Sequence, residues 1–217
     1  MTEVIEPFPI AAAIVGALLG LVADRLCTHW PSHEPGYRPR PLDWRTGVLV
    51  ITGALVGAGL VVRWAADPRD LTILAVYAAV LLVLLACDLD QRILPDLLTL
   101  PLIVFTGVVL LRGWSPLLAG RELGVVSGIA AGIGAPVILW LSDRILHGDL
   151  GAGDLKLAVG IGFMSGISQL IIGLLAASIS FSILLLVLIG LRRLSLKSAV
   201  PFGPVLVFGA FLAVELG

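Results

Sequence analysis

An all-α, polytopic membrane bundle of about eight transmembrane segments is the fold class this sequence predicts, and three observations predict it. Of 217 residues, 59% are hydrophobic and only 13% are charged, against roughly 25% charged residues in an average soluble domain. Mean hydropathy is +1.08. Apolar runs close to the ~20 residues that a helix needs to cross a bilayer recur along the chain, and the basic residues cluster between alternate runs.

The segments follow in order. Phe8 to Cys27 comes first, preceded by Glu3 and Glu6 rather than by basic residues and without a small-residue cleavage site, so a retained span is expected and not a signal peptide. Gly47 to Ala66, Leu71 to Cys87, Ile93 to Leu111 and Leu123 to Leu141 are the next four. Asp154 to Ser165 is short and glycine-rich, bounded by Gly166, and is read as separate from Ile167 to Leu191, the alternative being one bent segment that would put the C-terminus on the other side. Val200 to Leu216 is the eighth. The polar stretch from Thr28 to Thr46 carries Pro31, Pro35, Pro39 and Pro41 with Gly36, so it reads as a loop without a core of its own. A single membrane domain over residues 1–217, with a loop at 28–46, is the expected organisation.

Orientation follows from the basic residues. With the N-terminus outside, the inner loops hold Arg25, Arg38, Arg40, Arg45, Arg92, Arg144, Lys156, Arg192, Arg193 and Lys197, while the outer ones hold Arg63, Arg69, Arg112 and Arg121. The site is therefore expected at the cytoplasmic face of the cell membrane. A net charge of -1 offers no basic surface for nucleic acid. Cys27 and Cys87 stand far apart and form no CxxC, and His29, His33 and His147 share no ligand spacing, so neither a disulfide framework nor a metal site is expected. No cofactor is expected either. Gly124, Gly128, Gly132 and Gly134 read as helix-packing positions, and Trp30, Trp44, Trp64 and Trp114 as interfacial anchors.

Carboxylates at the ends of apolar runs are costly and call for a function. Asp88 stands in Cys87-Asp88-Leu89-Asp90-Gln91-Arg92-Ile93-Leu94-Pro95-Asp96, and Asp154 in Gly151-Ala152-Gly153-Asp154-Leu155-Lys156-Leu157. The topology puts both at one membrane depth. If the ends of the third and sixth segments pack together, two carboxylates a few Å apart resist double ionisation and share a proton. One then serves as general base on a water while the other donates to a scissile carbonyl, with no metal required. Gly151 and Gly153 leave room for a substrate backbone. Pro95 biases Leu94 away from helix, so the chain around Asp88 is expected to unwind before the next span. Asp90 is the alternative dyad member, Asp96 an alternative helix cap, Asp149 a loop residue or substrate contact, and Lys156 either a neighbour that tunes Asp154 or a snorkelling lysine.

These residues resemble the type IV prepilin peptidases, membrane aspartyl proteases of the GxGD type. The resemblance rests on Asp88 with Leu94-Pro95-Asp96 and Leu98-Thr99-Leu100-Pro101, and on Gly151 to Leu157. It extends to Gly16 through Gly20 with Asp24-Arg25-Leu26 and Pro31, and to Pro201-Phe202-Gly203-Pro204. The resemblance implies that Asp88 and Asp154 are catalytic, with Gly151, Gly153, Asp90, Pro95, Asp96, Asp149 and Lys156 supporting. It implies cleavage of the short basic leader of prepilins or pseudopilins at the cytoplasmic face, where Asp90, Asp96 and Asp149 would attract the leader's charge. Many bacterial members bind zinc through paired CxxC motifs after the first span and N-methylate the new N-terminus. Thr28 to Thr46 holds no cysteine, so zinc is not expected and a peptidase-only form is. The expected partners are thus pilin-like substrates and membrane lipids. A small proton- or ion-coupled transporter with buried carboxylates is the alternative from another class, and it calls for further ionisable residues within the spans and for paired repeats.

Overall fold

The computed structural model describes residues 7–31, 40–120, 122–146, 150–190 and 203–216. Asp149, His33, His147, Arg38, Arg121, Arg192, Arg193, Lys197, Pro201 and Phe202, all singled out above, lie outside the described residues. Regular structure among the described residues is helical: α1 (Pro7–Cys27), α2 (Trp44–Trp64), α3 (Pro68–Gln91), α4 (Asp96–Leu111), a 3-10 turn at Pro116–Leu118, α5 (Gly124–Leu146), α6 (Ala152–Gly190) and α7 (Gly203–Leu216). Five of them, α1, α2, α3, α5 and α6, are long and apolar enough to cross a membrane, while α4 and α7 are shorter apolar helices. The expected sixth and seventh segments are thus the two arms of α6. The chain divides into two compact units at Leu98 and Thr99.

In the first unit α3 is the core helix. Tyr77, Leu81, Leu84, Leu85, Ala86 and Cys87 are fully buried along it. Its start is set by Asp67, whose carboxylate accepts from the Arg69 and Asp70 backbone N–H groups, with Pro68 occupying the first turn. Helix α2 starts the same way. Asp43 accepts from the Arg45 N–H at 2.9 Å and the Thr46 N–H at 3.5 Å, and the Thr46 hydroxyl closes the box by accepting from the Asp43 N–H. Helices α1 and α2 touch backbone to backbone, since a Cβ at Gly16 would run into the Gly53 carbonyl and one at Gly20 into that of Leu49. Opposite that seam, Ile10, Ile14, Leu18 and Val22 form an exposed stripe at helical spacing. A lipid environment suits such a face.

The second unit is built around α6. Its first arm packs on α5, where a Cβ at Gly162 would meet the Ala131–Gly132 backbone, and its second arm packs on α7 at Gly173 and Gly209. Gly128 and Gly132 are packing positions against Leu110 and Phe163, whereas Gly134 faces open space. The arms meet at Gly166, which has φ 64° and ψ -179°. A side chain there would be strained and would also meet Leu118 and Ser127. Breaking a helix frees backbone groups, and here the neighbours take them up. The Ser115 hydroxyl donates to the Met164 carbonyl at 2.7 Å, and the Ile167 N–H donates to the Ser127 hydroxyl at 3.0 Å.

Candidate active site

Asp88 ends a buried stripe. Leu81, Leu84 and Leu85 precede it by seven, four and three residues, the spacing of one helix side, and all three are fully buried. Asp88 itself is 6% exposed. The helix runs through Asp88 to Gln91 and stops at Arg92, which takes the left-handed conformation at φ 55° while its N–H donates to the Asp88 carbonyl at 2.9 Å. Unwinding expected around Asp88 therefore falls later, at Arg92 to Pro95. Pro95 is buried, and its carbonyl accepts from the Leu98 N–H. Asp96 is the exposed first residue of α4, where its charge faces the positive end of the helix dipole.

Three side chains of the same turn tie it to α1 and to the segment before α2. Cys87 is joined to Cys27 in a disulfide, with Cα atoms 5.2 Å apart. This corrects the expectation of no disulfide: sixty residues of sequence separate the two cysteines, but the C-terminal ends of α1 and α3 lie side by side. Gln91 Nε2 donates to the Cys27 carbonyl at 2.8 Å and to the Trp30 carbonyl at 3.1 Å, covering acceptors that α1 leaves open where it ends. Asp90 Oδ1 accepts from Arg40 Nε at 2.7 Å and from Arg45 Nη1 at 3.1 Å.

Arg40 is the hub of this network. Besides Asp90 its guanidinium reaches Asp24 and Asp43. Asp24 is fully buried, so its charge requires partners. It has Arg25, Arg40 and the Thr46 hydroxyl, the last at 2.8 Å. Burial works against the Arg40 charge, but the hydrogen bonds to Asp43 and Asp90 and the fields of Asp24 and Asp90 outweigh it and raise the guanidinium above its ordinary pKa. Asp43 is held below the usual carboxylate range: slight burial opposes this, and the Arg40 bond, the Arg45 and Thr46 N–H groups and the Arg40 charge prevail. Arg25, Arg40 and Arg45 are thus interaction partners and not topology signals alone, and Asp90 is one of the anions of an ion-pair network.

Asp154 belongs to the second unit and is held differently. It is half-buried in the first turn of α6, and its N–H donates to the Gly151 carbonyl at 3.1 Å. Leu157, Ala158 and Ile161, at spacings of three, four and seven, continue from it as a buried stripe. Gly151 is exposed, and a Cβ there would stand 3.6 Å from the Asp154 carboxylate, an ordinary contact. Just before the helix, the Leu150 N–H donates to Asp143 of α5 at 2.9 Å. Lys156 is half-buried in the same first turns. Asp24, Arg40, Arg45, Gln91 and Asp143 are the residues that sequence reasoning left without a role at the site. Asp24 and Gln91 carried a signal, each inside a motif-like run; Arg40, Arg45 and Asp143 did not.

An integral membrane protein of apolar helices, with an acidic residue at the end of a buried stripe in each of two units, is the class that these features define. The chain matches the type IV leader peptidase family over residues 75–188, more than half of its length and a stretch containing both aspartates. It belongs to that family. Among curated proteins it is similar to the prepilin leader peptidase/N-methyltransferase of Aeromonas salmonicida, 36% identical over 145 residues that make up 64% of this chain and 47% of that protein. The Burkholderia pseudomallei protein of the same name is 30% identical over 179 residues, 82% of this chain and 56% of the relative. The Bacillus subtilis one is 30% identical over 147 residues, 65% and 54%. The chain spans about half the length of the curated relatives it matches. No solved structure matches it.

Proposed function

We propose that this chain is a membrane aspartyl endopeptidase that removes the basic leader from prepilins or pilin-like proteins at the cytoplasmic face of the cell membrane. One observation carries the reading: the family match encloses both Asp88 and Asp154 in the sequence settings that the family resemblance rests on. Relatives named prepilin leader peptidase/N-methyltransferase support the substrate class. The proposal does not extend to methyl transfer. In this reading the chain acts as one peptidase domain, and α4, α7 and the two arms of α6 each cross, giving eight spans. At ~1.5 Å per residue the short helices reach about 20–25 Å, less than a ~30 Å hydrocarbon layer, which suits a thinned, water-accessible region around the acids. The basic residues of the alternate loops support the cytoplasmic orientation.

The dyad works with one proton between two carboxyls. The ionised aspartate takes a proton from water as its oxygen attacks the scissile carbonyl, and the protonated one donates to the carbonyl oxygen. Collapse of the tetrahedral species breaks the C–N bond, the leaving amine takes up a proton, and the shared proton returns to the pair. Gly151 and Gly153 admit the substrate backbone; Pro95 ends the turn that follows Asp88; Asp96, Asp149 and Lys156 provide charge near the leader and the lipid phosphates. Asp88→Asn and Asp154→Asn, each co-expressed with a substrate having a basic leader followed by an apolar helix, are expected to abolish cleavage while the protein stays in the membrane. Retained cleavage in both would overturn the reading, and proton flux in proteoliposomes that depends on either aspartate would replace it with transport.

A further inference from the structure

We propose that Arg40 and Asp90 are positioning residues for Asp88. The inference rests on the peptidase reading for its kinetics and on the first unit alone for its geometry. Asp88 and Asp90 lie two residues apart on α3, about 200° round the helix from each other, so a group that fixes Asp90 fixes the turn without touching the Asp88 carboxyl. Arg40 does this from outside the helix. One guanidinium joins Asp90 to Asp24 on α1 and to Asp43, the cap of α2. Three helices are thereby referenced to one planar cation at the depth of Asp88.

The geometry favours a positioning role over a leader-binding one for Asp90. Its side chain is 3% exposed and its Oδ1 already accepts from two arginines. A basic peptide would have to reach a buried carboxylate already paired with two arginines. The planar fork also matters: Arg40 engages three carboxylates with different nitrogens, which a lysine's single ammonium does not reproduce. The neighbouring attachments act along other directions. The Cys27–Cys87 bridge and the Gln91 bonds hold α3 to α1, whereas Arg40 and Arg45 are what join the α3 turn to the start of α2 in this network.

The test compares full-length wild type with Asp90→Asn, Arg40→Gln and Arg40→Lys in proteoliposomes, using two readouts. One is cleavage of a reconstituted substrate with a basic leader and an apolar helix. The other needs no substrate: the rate at which a hydrophobic carbodiimide couples to Asp88, read by peptide mass spectrometry. Asp90→Asn and Arg40→Gln are expected to lower kcat roughly 10- to 100-fold, as a misplaced acid does, at nearly unchanged KM, and to alter Asp88 coupling several-fold. Arg40→Lys should fall between. Arg69→Gln, which removes an exposed ion pair at the far end of α3, should match wild type in both. Wild-type kcat and coupling in Asp90→Asn and Arg40→Gln would overturn the proposal. So would a rise in KM at constant kcat, which would make these residues substrate contacts. If wild type itself cleaves nothing, the peptidase reading fails, and Asp88 coupling still decides the positioning role. Asp90→Asn keeps the size of the side chain, so it carries the comparison even where Arg40→Gln does not reach the membrane.

Discussion

The turn that carries Asp88 and the turn that carries Asp154 are fixed by different means. Around Asp88 the work is done by side chains: a disulfide from Cys87, an amide from Gln91 and ion pairs from Asp90. Around Asp154 backbone N–H groups donate over short sequence distances, that of Asp154 to the Gly151 carbonyl and that of Leu150 to the Asp143 carboxylate, and the break at Gly166 ends the arm. The first arrangement buries its acid and crowds it with neighbours. The second leaves its acid half-buried next to residues with almost no side chain. In the proposed dyad one acid is thus held by its neighbours and the other is approachable.

The largest effect that bears on this contrast is one the contrast must not show. If both acids are chemical partners, Asp88→Asn and Asp154→Asn lose comparable activity, on the order of 10²–10⁴-fold as expected for loss of a general acid or base. A loss confined to one, measured as substrate turnover in membranes, would break the symmetry that the dyad requires. The backbone device is next. Gly166→Ala puts a Cβ against Leu118 and Ser127 at a positive φ, and is expected to lower stability by about 1–3 kcal/mol. Thermal unfolding in detergent checks it, and an unchanged midpoint would mean that the arm is held by something other than this break. Gly151→Val should instead leave the unfolding midpoint alone, since the position is exposed, and raise KM about tenfold if substrate passes there. Loss of stability without a KM effect would make Gly151 a purely structural glycine.

The contrast also explains what the sequence disclosed. Helix positions were legible because each depends on a local apolar run, and the boundary at Gly166 was legible because a glycine between apolar stretches marks a break. Asp88 and Asp154 stand out in the sequence through the motif settings around each. The network around Arg40 was not. Its members come from residues 24, 25, 40, 43, 45, 46 and 90, and nothing local distinguishes an arginine that neutralises a buried aspartate from one that marks a cytoplasmic loop. Cys27 and Cys87 were missed for the same reason: their pairing is a property of two helix ends meeting. The glycine run before Asp154 and the break at Gly166 could be read from sequence; the disulfide, the amide bonds and the ion pairs around Asp88 could not.

The smallest expected effect probes the edge of that network. Asp43 has two roles, as cap of α2 and as a partner of Arg40, and asparagine retains the first while losing the second. Its carboxyl pKa is depressed in the folded protein, so the stabilisation from its charge is fully present above the ordinary unfolded carboxylate value and is lost as pH falls through the depressed folded value. Wild type should therefore exceed Asp43→Asn in unfolding midpoint at neutral pH, by a small margin because the side chain is partly exposed. The margin should close on acidification below the usual carboxylate range. A margin that persists at low pH would mean that Asp43 acts through cap geometry rather than through its charge, which would remove one of the three carboxylates from the Arg40 hub and leave Asp24 and Asp90 as its anions.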